Sequence, residues 1–154
     1  MTEIPTKSKM VMNVSVGIAT IIVGVIAVAW FVTTVALPQH TQQLTNTPIT
    51  INAQTSNYVQ FSTPNNAINP TVSGRFTASG GTGNDIAVMV LSQDDFINWQ
   101  NGHASTAYYS SGKTTVGTIS VTVPSGQTLY LVFDNTFSLV SAKSVNSNIL
   151  LTYR

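Results

Sequence analysis

The chain of 154 residues contains no cysteine, which excludes disulfides, thiolate metal sites and cysteine nucleophiles. Charge is nearly as scarce, because Asp, Glu, Lys and Arg together make up 7% of the residues, where roughly a quarter is typical. After residue 38 there is no glutamate, and Asp85, Asp94, Asp95 and Asp134 are balanced by Arg75, Lys113, Lys143 and Arg154. A formally neutral region without a basic run leaves no nucleic-acid footprint and no electrostatic hold on anionic lipid. The two histidines, His40 and His103, have neither a Cys nor a Glu at a motif spacing. That inventory is poor for a nucleophile–base–orienter triad and for a histidine-rich metal site. The expectation is a protein that is not an enzyme, with no catalytic residue, no cofactor and no metal.

What the chain does have is one dense apolar block. No charged residue occurs from Met10 to Gln39, and Val11–Leu37 is mostly aliphatic. As a helix these residues would reach roughly 40 Å, more than the ~30 Å hydrocarbon core of a bilayer. Lys7 and Lys9 precede the block and the far flank has no positive charge until Arg75, so the positive-inside bias predicts a cytoplasmic N-terminus. The predicted organisation is a cytoplasmic segment 1–10, a transmembrane helix 11–37, a polar linker 38–47 and an extracytoplasmic domain 48–154. The protein would then be a single-pass protein of the cell membrane. A cleaved signal peptide is the rival, since Ala27-Val28-Ala29 has the small-x-small spacing of a cleavage site. Cleavage there would leave a mature end starting WFVTTVAL, which disfavours it. Within the block, Asn13, Gly17, Thr20, Gly24 and Ala27 follow at spacings of three and four and would line one helix face. Small residues let a second helix approach closely, so this stripe is a candidate helix interface.

Beyond Pro48 the period becomes alternating. Residues 116–123 place Val116, Ile119, Val121 and Val123 near one face, with Gly117 breaking the pattern as a bulge would. Segments 86–91 and 129–133 are apolar on both faces, as central strands are. Further candidates at 49–53, 57–61, 71–79, 106–110 and 145–153 bring the count to about eight, which predicts a mainly β fold, an antiparallel β-sandwich. One short helix is predicted where Ser92 with Asp95 makes a capping box, Phe96 and Trp99 share a face, and Gly102 stops the chain.

The segment 128–145, TLYLVFDNTFSLVSAKSV, carries Phe133-Asp134-Asn135, then Phe137-Ser138, then Lys143 before the last strand. It resembles the closing hairpin of the GOLD domain, the Golgi-dynamics β-sandwich of early-secretory cargo receptors and some lipid-binding proteins. The resemblance implies a similar sandwich that acts by protein–protein contact. This chain departs from the receptors in lacking their cysteine pair, coiled coil and C-terminal membrane helix, and in placing the apolar segment first.

Individual residues have simple readings. Asp134 and Asn135 are expected to bond turn amides, Phe133, Phe137 and Leu139 to serve as core or staple residues, and Lys143 to lie on the surface, near Asp134. Asp94-Asp95 lacks the alternating pattern of a calcium loop and fits a helix start. Gly80–Asn84 has no phosphate-loop ending and reads as a hairpin loop. Phe96, Trp99, Tyr108 and Tyr109, with Asn98, Gln100 and Asn101 around them, are a candidate aromatic contact patch, as protein interfaces and sugar-binding faces use. The expected function is a membrane-anchored interaction or structural module. Its partners would be the lipid bilayer and other membrane subunits or its own copies, with no nucleic acid. A pilin-like filament or surface-layer subunit is the alternative, and an anchored hydrolase is disfavoured by the inventory above.

Overall fold

The computed structural model describes residues 37–154. The predicted cytoplasmic segment, the membrane helix up to its last residue, and the stripe of Asn13, Gly17, Thr20, Gly24 and Ala27 lie outside the described residues. Among those described, no helix is long and apolar enough to cross a membrane.

Among the described residues nine strands and one helix follow in order: β1 (His40–Thr45), β2 (Ile49–Ile51), β3 (Ser56–Ser62), β4 (Thr71–Ser79), β5 (Ile86–Ser92), α1 (Gln93–Gln100), β6 (Ala107–Thr114), β7 (Val116–Thr122), β8 (Thr128–Asp134) and β9 (Lys143–Tyr153). They form two antiparallel sheets. The first runs β1-β9-β4-β7 with β2 also on β9, and the second runs β3-β8-β5-β6. β1 and β2 follow one another along one edge of β9, pairing with its far and near ends, while β4 takes the other edge.

The mainly β, two-sheet fold is as the alternation predicted, and eight of the strands fall on predicted segments. The ninth, β1, lies in the stretch 38–47 expected to be a linker. Its residues HTQQLT are exposed except for Leu44 and its half-buried neighbour Thr45, so backbone pairing with β9 rather than an apolar stripe makes it a strand. Gly117 produces no bulge either. β4 and β7 pair without interruption, with Phe76 opposite Gly117, and a Cβ at Gly117 would stand 2.2 Å from the Phe76 ring. The ring of Phe76 fills the place of the missing side chain. Val116 consequently points outward and is 63% exposed, contrary to its expected inward position.

The inner faces of the two sheets bury Phe61, Val72, Phe76, Val88, Val90, Leu131, Phe133, Ile149 and Leu151 in one cluster. Each such side chain contributes about 1.5–3 kcal/mol by leaving water. β5 and β8 are apolar on their outer faces too, because α1 covers them: Leu91 and Val132 pack there against Phe96.

Candidate functional site

At the end of the fold where β9 begins, the loop 135–142 and the loop 80–85 meet over Lys143. The alternation of β9 turns Lys143 inward, and it is 1% exposed, so it is not the surface residue expected. Its ammonium donates to the Gly80 carbonyl at 2.8 Å and to Asp85 Oδ1 at 3.4 Å. Asp134 is not its partner. Ammonium groups are buried only where oxygens replace their water, and the glycine loop supplies both. That loop is a crossover from β4 in the first sheet to β5 in the second, not the hairpin expected. Gly81 lies so close to Ser141 that a Cβ would stand 2.3 Å from it, hence no other residue could cover this end so tightly.

Asn135 is fully buried. Its Nδ2 donates to the carbonyls of Ile51, Asn52 and Ser141 at 3.0–3.3 Å, a role in joining loops rather than in bonding turn amides. Its Oδ1 is the buried side-chain atom left without a partner among the described residues. Asp134 does bond a turn amide, accepting from the Thr136 N–H at 2.8 Å. Phe133 is in the core, fully buried. Phe137 is half-buried, with the Lys113 ammonium 4.3 Å above its ring. Phe133, Asn135 and Lys143 are thus inside, whereas Asp134, Phe137 and Ser138 line the rim.

The loop they hold carries an apolar pair at its tip. Leu139 is 76% exposed and Val140 90%, so Leu139 is not the core or staple residue expected. Local bonds fix the loop. The Gln54 N–H donates to Ser138 O at 3.0 Å, the Gln54 amide to Leu139 O at 3.3 Å, and Ser138 Oγ to Ser141 O at 2.9 Å. Sequence reasoning missed this feature, because an apolar pair beside a strand reads as buried.

The aromatic patch divides. Phe96 is buried under α1, stacked on Tyr130 with centroids 4.0 Å apart and planes 5° off parallel, and Trp99 continues the column at 6.0 Å and 26°. Tyr58 leans on both Phe96 and Tyr130. Tyr109 instead faces the main core, where burial raises its phenol pKa. Tyr108 is the extra residue of a bulge, since Val90 pairs with Tyr109 and Leu91 with Ala107. Tyr58 and Tyr130, absent from the expected patch, complete it. Their membership is legible only once β3 and β8 are known to be neighbours.

α1 starts as predicted. Ser92 Oγ accepts from the Asp95 N–H at 3.1 Å and donates to Asp95 Oδ2 at 2.6 Å, and Asp95 Oδ1 accepts from the Thr106 N–H at 2.8 Å. These bonds, Ser92's first and then that of Thr106, hold the Asp95 carboxyl below its ordinary value of 3.8. Asp94 stays exposed. Among the described residues no three acidic or histidine side chains gather as a metal site. No protein-family model matches this chain, and a search of the curated proteins finds no match to it.

Proposed function

We propose that this chain is a non-enzymatic, membrane-anchored interaction module, held by the apolar segment 11–37 with its β domain on the extracytoplasmic side. It acts by docking on another subunit of a membrane complex. The observation that carries this reading is the fixed apolar tip. Leu139 and Val140 are the most exposed large hydrophobic residues described, and their loop is tied down by Gln54, Ser138 and Asn135. Exposed apolar side chains on a pre-ordered loop lose little entropy on binding, which is how interface anchors behave. The GOLD-like reading belongs to this proposal; within the resembling segment Asn135 ties that same loop through Ser141 O, while Lys143 bonds the neighbouring loop 80–85.

The test is purification of the full-length chain in mild detergent, with mass spectrometry of what accompanies it. Leu139→Ser with Val140→Ser is expected to abolish partner recovery while leaving the melting temperature of the domain unchanged. Undiminished recovery with the double variant would sink the reading.

A filament or surface-layer subunit is the second reading. Of the strands that end the sheets, β1, β3 and β7 carry no Asp, Glu, Lys or Arg, and β6 carries one charge, Lys113, although charge on edge strands is a common guard against lateral pairing. Long homopolymers in the same preparation would favour it over a hetero-complex.

A further inference from the structure

The column Tyr130–Phe96–Trp99 ends in the open. Its outer member, Trp99, lines a cleft of about 300 Å³ whose other walls are Ser56, Gln100 and Thr136. None of these side chains forms a hydrogen bond to another described residue, and none carries a charge. The wall is nevertheless placed by fixed elements. Ser56 opens β3 opposite Asp134, Thr136 is held by its N–H bond to the Asp134 carboxylate at 2.8 Å, and Trp99 is backed by Phe96, which is itself only 4% exposed.

We propose that this cleft is a binding subsite for one neutral sugar ring. A pyranose has an apolar C–H face and an equatorial rim of hydroxyls, and the cleft offers one aromatic side chain with an amide and two hydroxyls around it. Indole faces attract polarised C–H groups and exclude water from them, while Ser, Thr and Gln side chains both donate and accept, as sugar hydroxyls require. An anion would find no cation in the lining, and a purely apolar ligand would leave these polar walls unpaired. The volume lies at the small end of ligand pockets, so it suits one ring of a glycan and not a long chain. The cleft shares the loop 135–142 with the apolar tip through Thr136 but is lined by neither Leu139 nor Val140, so each proposal has its own test.

The experiment uses the full chain in a polyoxyethylene detergent, since maltoside detergents carry sugars themselves. The chain has two tryptophans, Trp30 and Trp99, so Trp30→Phe leaves Trp99 as the fluorescent reporter. Methyl β-glucoside, methyl β-galactoside and N-acetylglucosamine are titrated in turn. At least one should give a saturable shift with a Kd on the order of 1 mM, as expected for a ring of about a dozen heavy atoms held on one face. Saturation-transfer NMR, which reads the sugar, should show binding lost with Trp99→Ala and weakened about tenfold with Gln100→Ala, a surface change that leaves the fold intact. No saturable response below about 100 mM with any of the three, or undiminished binding by the Gln100→Ala chain, would overturn the proposal. So would a proline-rich peptide that binds Trp99 where the sugars do not.

Discussion

The Lys143 ammonium meets one carboxylate and one carbonyl inside the fold, and the two members of its ion pair are unequally buried. Asp85 retains 30% of its side-chain exposure against 1% for Lys143. Removing Asp85 strands a buried charge, whereas removing Lys143 releases a carboxylate to water. Asp85→Ala is therefore expected to cost about 3 kcal/mol, the low end for breaking a buried pair because Asp85 is part-exposed, and Lys143→Met distinctly less. Urea midpoints of the two variants check the order, and equal losses would contradict it. Phe133, fully buried between the sheets, should lose about 3–5 kcal/mol on truncation to Ala, which a melting curve would register. Phe133 was legible as core because it ends a strand apolar on both faces. Lys143 was not, because its burial depends on oxygens some sixty positions earlier in the chain, and lysine alone reads as solvent-exposed.

At the scale of elements, strands with an apolar stripe declared themselves and β1 did not. Its six residues bury only Leu44, and what fixes them is the open edge of β9, a partner invisible in local sequence. α1 was legible because its capping residues are local: Ser92, Asp95 and Gly102 suffice to bound it. The cap also makes this element sensitive to acid. Hydrogen bonds from Ser92 and Thr106 favour the charged form of Asp95 and lower its pKa. A group whose folded pKa is lowered contributes stability above its ordinary value, and that contribution fades as pH falls through the lowered value. Comparing unfolding from about pH 6 to about pH 2, the gap between the parent chain and Asp95→Asn should close as the medium becomes acid. A gap independent of pH would show that the carboxylate charge is irrelevant to the cap.

For the molecule as a whole, the direction of β9 separates two ends. The strand begins at Lys143 beside the apolar tip and finishes at Tyr153, whose ring stacks on His40 at 5.2 Å where the described chain enters. Its eleven residues span roughly 33 Å at ordinary strand rise. Tip and entry point therefore lie at opposite ends of the domain. That arrangement was hidden from the sequence, which reveals strands by pattern but not which edges they share. The placement of β9 also governs the order of events during biosynthesis. The strand is last in sequence yet sits between β4 on one side and β1 and β2 on the other. A nascent chain still lacking residues 143–153 leaves these three strands without their shared neighbour, and half the sandwich has nothing to close on. Closure of the first sheet must therefore wait until translation has passed residue 153, the last of β9.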